Sequence, residues 1–261
     1  MVISMRIVAT IEARMSSTRL PGKSMKKILG RPMLELLIER VKNCRKIDQI
    51  IVVTTKKSTD NIIEELSKKI SVNCFRGSED DVLDRVLKAA KSANADIILE
   101  LWGDSPLIDS NILDNLIKYY LENDFDCVGT TLPNFKKTYP LGLSALIFPT
   151  KILDEIDKIT QNPDDRENVS NYIYEHSEKY KVASLPCSDE LNFPNLRFTV
   201  DEQSDFDVVK IIFENLYPIN PKFSADDVIK FLNSNPHIKN LNKKVVQKRL
   251  KAWNKFKKNK F

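Results

Sequence analysis

The strongest constraint on the fold is an alternation of two periodicities in the first part of the chain. Short runs rich in β-branched apolar residues, at 6–11, 48–55, 73–76 and 96–101, are separated by segments 32–41, 61–69 and 81–93, whose apolar residues recur at helical spacing. Apolar residues at successive positions of a short strand mean burial on both faces, the signature of a parallel sheet covered by helices. The expected class is therefore α/β, with a mostly parallel, Rossmann-like doubly wound sheet. Ligands on such sheets sit outside the carboxyl ends of the strands. The polar loop 13–23 and the Gly103-Asp104 turn both fall at that edge.

Beyond residue 125 the alternation weakens. Strands are expected over 126–131, 143–148, 182–185 and 197–200, and helices over 151–159, 167–176, 205–216 and 225–233. Neither a repeat nor a linker interrupts the sequence, so residues 1–238 read as one elaborated domain with a smaller subregion near 130–190.

The formal charge is +5, but residues 239–261 hold nine Lys, one Arg and no acid, which leaves the rest at −5. A basic tail on a mildly acidic body does not support a nucleic-acid-binding surface. The tail places Val245, Val246, Leu250, Trp253 and Phe256 between its cations. Such a basic amphipathic helix packs on its own domain or meets an anionic membrane surface. Cys44, Cys74, Cys127 and Cys187 are widely scattered, and with only His176 and His237 no zinc site assembles at the usual spacing. Buried thiols, a short apolar N-terminal stretch without a cleavage site, and no apolar run of membrane-spanning length lead to a cytoplasmic expectation.

The loop 13–23 carries the densest chemistry. It contains Ala13, three cations (Arg14, Arg19, Lys23), three hydroxyls (Ser16, Ser17, Thr18) and Gly22 in eleven residues. Hydroxyls and backbone amides cradle phosphate oxygens, Arg offers a planar fork and Lys a mobile charge. A solvated polar loop has a similar composition. Neither GxxxxGK[ST] nor GxGxxG is met.

The loop Ala13-Arg14-x-Ser-Ser-Thr-Arg-Leu-Pro-Gly-Lys23 resembles the signature of the sugar-acid cytidylyltransferases, namely CMP-Kdo synthetases, acylneuraminate cytidylyltransferases and the spore-coat polysaccharide protein F group. The stretch Phe75-Arg76-Gly77-Ser78-Glu79-Asp80-Asp81-Val82-Leu83-Asp84-Arg85 is similar to the last of these. So are Gly103-Asp104-Ser105-Pro106-Leu107-Ile108-Asp109 and Thr199-Val200-Asp201 followed by Asp205. The four motifs run in order over roughly residues 6–240.

The resemblance implies that an acceptor oxygen attacks the α-phosphate of a nucleoside triphosphate, CTP or a relative, and expels pyrophosphate. Arg14, Arg19 and Lys23 would neutralise the leaving group. Arg76, Asp84, Arg85 and Gly103 would lie beside the nucleotide. Asp104 and Asp201, each expected after a strand, would hold Mg²⁺, which takes a few carboxylates plus phosphate oxygens and water. An Asp after a strand is otherwise a turn or helix cap, and Asp109 is read as the N-cap of a helix at 111–120. Arg85 has the alternative of a surface pair with Asp81. Trp102 is read as core or pocket wall. A homodimer through residues near 130–190 is also implied.

One region departs from the pattern. Where the spore-coat group carries a Gly-Leu-Asp-x-Glu-type acceptor stretch, this chain has Gly142-Leu143-Ser144-Ala145-Leu146, and Asn168 stands where a His is usual. Gly142 and Arg166 remain as acceptor candidates, Arg166 as a fork for an anionic group or as a helix-entry partner of Glu167 or Asp165. Three functions follow: a Mg²⁺-dependent cytidylyltransferase for surface glycans, a transferase using GTP or another triphosphate on a sugar phosphate, or a non-catalytic nucleotide-binding scaffold.

Overall fold

A computed structural model of the chain describes residues 5–133 and 135–247. Its strands are β1 (Ile7–Glu12), β2 (Lys27–Ile28), β3 (Arg31–Pro32), β4 (Gln49–Thr55), β5 (Asn73–Gly77), β6 (Ile97–Trp102), β7 (Cys127–Gly129), β8 (Leu146–Pro149) and β9 (Val182–Ser184). Strands β2 and β3 form a small antiparallel ladder, and the other seven form one sheet in the order β5-β4-β1-β6-β8-β7-β9. The pairings β4·β5, β1·β4, β1·β6 and β7·β9 are parallel, whereas β8 runs antiparallel to both β6 and β7. The mostly parallel α/β expectation is thus met, with one reversed strand, β8, between β5-β4-β1-β6 and β7-β9.

Among the described residues ten helices surround the sheet: α1 (Met33–Lys42), α2 (Asn61–Lys69), α3 (Val82–Ser92), α4 (Ser110–Leu121), α5 (Thr150–Ile159), α6 (Pro163–Glu167), α7 (Asn171–Glu175), α8 (Gln203–Leu216), α9 (Ala225–Ser234) and α10 (Pro236–Lys239). Two hydrophobic clusters occupy the two faces. Ile7, Ala9 and Ile11 of β1, with Ile97, Leu99 and Leu101 of β6, join α1, α4, α8 and α9 on one face. Val8 and Ile98 turn the other way, toward α3, α5 and α7. This two-sided burial is why these strands read as continuous apolar runs, and each buried aliphatic side chain contributes about 1.5–3 kcal/mol. The same alternation puts Thr10 and Glu12 of β1 on the second face, in register with Glu100 and Trp102 of β6.

The later part of the chain differs from the sequence pattern in three places. The expected helix over 167–176 is two short helices, α6 and α7, broken at Asn168, whose side-chain amide donates to Asp164 O at 2.8 Å. The expected strand over 197–200 is a single bridge between Leu141 and Arg197. Around it Phe198 N and Thr199 N donate to Leu141 O and Val200 N to Asp104 O, while the side chains of Lys23 and Asn242 donate to Val200 O and Arg197 O. The tail forms no helix over 240–247, and the remainder of the proposed basic amphipathic helix, 248–261, lies outside the described residues. Asp109 caps α4 as expected, accepting from Asn111 N at 2.7 Å, and also accepts from Ala225 N at the start of α9. Among the described residues no helix is long and apolar enough to cross a membrane.

Candidate active site

The site is built where β1 and β6 end side by side. Ala13 N donates to Val53 O at 3.2 Å and Gly103 N to Glu12 O at 2.8 Å, which carries the sheet one residue past each strand. A Cβ on Gly103 would stand 2.6 Å from Glu12 O, so only glycine allows this approach. The loop that follows β1 is held from below by Asp60. Its carboxylate accepts from Met15 N at 2.9 Å, Thr54 Oγ1 at 3.0 Å, Thr55 N at 3.2 Å and Thr55 Oγ1 at 2.6 Å. Burial alone would raise the Asp60 pKa. The hydrogen bonds from Thr55, Met15 and Thr54 outweigh burial and hold it below the usual carboxylate value. Gly22, at φ +69°, closes the loop by donating to Met15 O, and a 3₁₀ turn at Lys23–Met25 begins there.

That closure aims Lys23 across the strand ends. Its Nζ lies 3.0 Å from Asp104 Oδ2, 3.5 Å from Asp201 Oδ1 and 2.7 Å from Val200 O. Asp104 and Asp201 are far apart in sequence and are brought together by the backbone, since Val200 N donates to Asp104 O at 2.7 Å. Arg19 completes the cluster at 2.9 Å from Asp201 Oδ1. From behind, Arg197 grips Asp201 Oδ2 at 2.6 Å and Asp205 Oδ1 at 2.8 Å, and Asn242 donates to Asp205 Oδ1 at 3.0 Å. Burial opposes ionisation of Asp201, but Lys23, Arg19 and Arg197 hold its pKa below the ordinary range.

In front of these residues opens a crevice of about 460 Å³. Arg14, Ser17, Thr18, Arg19, Lys23 and Asp104 line it, together with Thr131, Gly142, Ser144 and Ser170. Arg85 and Trp102 also line it, so Trp102 is a wall residue. Arg14 differs from its neighbours: among the described residues no hydrogen bond or ion pair holds its guanidinium. Asp104 and Asp201 supply hard carboxylate oxygens already balanced by an ammonium group, a donor set that suits Mg²⁺. Among the described residues no group of three or more His, Cys, Asp or Glu forms a self-sufficient metal cage. Phosphate oxygens and water would have to complete the shell.

The structure brings Ala13, Arg14, Ser17, Thr18, Arg19, Lys23, Arg85, Gly103, Asp104, Gly142 and Asp201 to this crevice. It does not bring five other candidates there. Ser16 turns away to donate to Glu79 Oε1 at 2.7 Å, and Gly22 shapes the loop from behind. Arg76 is consumed by Thr55 O, Lys57 O, Asn61 and Glu64, and Asp84 pairs with Lys88 at 2.8 Å. Arg166 makes a two-pronged contact with Asp81 and reaches Asp157 Oδ1 at 2.8 Å, bracing α6 against α3. Its partners are thus neither Glu167 nor Asp165. Arg85 likewise does not pair with Asp81; it is buried and donates to the carbonyls of Ser78 and Glu79.

Two wall residues escaped the sequence reading. Glu12 and Glu100 line the crevice on one face of the sheet, and Glu12 Oε1 and Glu100 Oε2 have no hydrogen-bond partner among the described residues. Burial pushes Glu12 up to about 7, against the pull of Arg85. Burial and the neighbouring Glu12 raise Glu100 well above the usual value. Their signal was present: each is an acid inside an otherwise apolar strand. Asp60 and Arg197, which position the loop and Asp201, carried no such local mark.

Comparison with known proteins agrees with this geometry. Residues 8–253 match the family model described as cytidylyltransferase. The chain is 39% identical over 244 residues to an uncharacterized protein of Methanocaldococcus jannaschii, covering 94% of this chain and 97% of that one. It is 31% identical over 235 residues to the spore coat polysaccharide biosynthesis protein SpsF of Bacillus subtilis, covering 88% and 95%. Among solved structures, a cytidylyltransferase from Leptospira borgpetersenii superposes with a TM-score of 0.84 at 34% identity, covering 94% of this chain and 100% of that chain. A CMP-2-keto-3-deoxy-manno-octonic acid synthetase complexed with CTP shares the fold, with a TM-score of 0.60 at 16% identity, covering 81% and 99%.

Proposed function

The chain belongs to the cytidylyltransferase family, and from that premise we propose that it transfers CMP from CTP to an anionic acceptor, a sugar acid or a phosphorylated metabolite, in a Mg²⁺-dependent step. The observation that carries this reading is the Lys23 ammonium between Asp104 and Asp201, in a crevice that Arg14 also lines. The triphosphate lies along the loop, where Ser17, Thr18 and the cations contact its oxygens. A bound divalent ion would supply positive charge to offset that of the phosphates. Asp104 and Asp201 are the residues that would hold it.

An acceptor oxygen lone pair forms the new bond to the α-phosphorus. The bond from that phosphorus to the bridging oxygen breaks, and the electron pair leaves with pyrophosphate. No nucleophilic side chain is needed; positioning and charge stabilisation do the work. Arg14 and Lys23 are the catalytic cations, and Arg19 holds Asp201 until phosphate competes for it. Similarity to the spore coat polysaccharide biosynthesis protein of Bacillus subtilis supports a role in surface polysaccharide synthesis.

The test is pyrophosphate release with each of the four ribonucleoside triphosphates, with and without Mg²⁺, over a panel of acceptors. Release that requires CTP and Mg²⁺ is expected. Equal release with GTP, or release unaffected by EDTA, would overturn the assignment.

A further inference from the structure

Asp201 stands outside the sheet. Arg197 makes a single bridge, and residues 198–201 belong to no strand. The carboxylate is held by side chains. Two arginines take one oxygen each: Arg19 Nη2 lies 2.9 Å from Oδ1 and Arg197 Nη2 lies 2.6 Å from Oδ2. Arg197 is also claimed by Asp205, to which Nε donates at 2.8 Å and Nη2 at 3.1 Å. Asp205 is fully buried, and its Oδ2 accepts from the backbone N–H groups of Asp201 and Glu202 at 3.0 and 3.1 Å. One guanidinium thus serves two carboxylates. How firmly it holds Asp201 depends on what else satisfies Asp205.

That further partner comes from the C-terminal part of the described chain. After α10 the chain passes through turns at 240–244 and returns to the site. Asn242 is buried, and its side-chain amide donates to Asp205 Oδ1 at 3.0 Å and to Arg197 O at 3.1 Å. Arg197 Nη1 donates to Gln247 Oε1 at 2.5 Å, and Arg19 Nη1 donates to Val246 O at 3.3 Å. Both arginines that grip Asp201 therefore make a second contact with this one short segment. An amide suits the Asn242 position because it adds a donor to Asp205 without adding charge. Hydrogen bonds behind a ligating carboxylate fix its orientation toward a metal.

We propose that Asn242 is a positioning residue for Asp201. By satisfying Asp205 it leaves Arg197 available to orient the carboxylate that would hold Mg²⁺, and Gln247 steadies the same guanidinium through Nη1. This rests on the Mg²⁺-dependent reading above, and it gives the segment 242–247 a task in the site itself. Without the Asn242 amide, Asp205 Oδ1 is left with Arg197 Nε alone, and the guanidinium is drawn from Asp201 toward Asp205.

The test measures binding, not turnover. Full-length wild-type protein and variants are titrated by calorimetry with the α,β-methylene analogue of CTP, whose α–β bridge is not cleaved. Each is titrated once with Mg²⁺ and once with EDTA. The ratio of the two dissociation constants is the metal's contribution to affinity. This ratio should shrink roughly tenfold in Asn242→Ala and roughly threefold in Gln247→Ala, while both variants keep the wild-type affinity in EDTA. In an Asp201→Asn background, Asn242→Ala should change the ratio no further, because the carboxylate it serves is gone. An unchanged ratio in both single variants would overturn the proposal, and so would a further loss in the Asp201→Asn background. Equal losses with Mg²⁺ and with EDTA would also overturn it, since the segment would then act on the nucleotide or on the fold. If Asn242→Ala binds nothing in EDTA it is unfolded, and the ratio in Gln247→Ala decides alone. A wild-type protein with equal affinity in Mg²⁺ and EDTA would strike the Mg²⁺-dependent reading itself, and the proposal would fall with it.

Discussion

Two parts of the crevice lining, the loop after β1 and the wall that holds Glu12 and Glu100, are made in different ways. The loop is one contiguous segment, residues 13–23, whose cations are pre-aimed by a buried carboxylate at Asp60 and by the pair Asp104 and Asp201. The wall is collected from β1, β6, the chain before β8 and the turn before α7, with no single segment dominating. The first is an electrostatic device in which every acid has a donor or cation. The second is a pair of neighbouring acids whose pKa values burial raises.

The largest expected effect comes from breaking the loop. Lys23→Ala and Asp104→Ala should each lower kcat for pyrophosphate release by at least about 10³-fold, with an unchanged circular dichroism spectrum. A smaller loss would show that the cations only bind and do not stabilise the leaving group. Next is Asp60→Ala, which strands the donors of Met15, Thr54 and Thr55. Urea titration at neutral pH should give a loss of about 3 kcal/mol. An unchanged midpoint would mean that the loop does not depend on this anchor.

The two parts also differ in the sign of their pH dependence. Asp60 has a depressed pKa, so its contribution is present above the ordinary value of 3.8 and is lost as pH falls through its lower folded value. Glu12 has a raised pKa, so its contribution is full below 4.5 and is lost as pH rises through about 7. Melting temperatures of Glu12→Gln should therefore decline less than the wild type between these two pH values. A parallel decline would place the titration elsewhere. The smallest effect on turnover is expected for Arg76→Ala, because Arg76 serves only Thr55, Lys57, Asn61 and Glu64. Turnover within about twofold of wild type checks its exclusion from the site.

The loop was legible because its residues are neighbours in sequence and their chemistry is dense. Strands β1, β4 and β6 were legible because two-sided burial writes itself as unbroken apolar runs. The segment 197–200 was misread as a strand because Phe198 and Val200 are apolar for a different reason: they pack under the site while Arg197 and Asp201 use their side chains to hold it. Arg166 and Arg76 were misassigned because sequence gives charge but not direction. Their partners, Asp81 and Glu64, are set by how α3 and α2 pack. The Glu12–Glu100 pair needed the register of β1 with β6, which no local pattern supplies.

Calorimetric titration of CTP with Mg²⁺ into the wild-type protein and into Arg14→Ala and Lys23→Ala tests the central claim most directly. Each charge-assisted contact is worth about 2 kcal/mol, so each variant should bind CTP roughly 30-fold more weakly. Equal affinity in all three proteins would place the nucleotide elsewhere and contradict the site described.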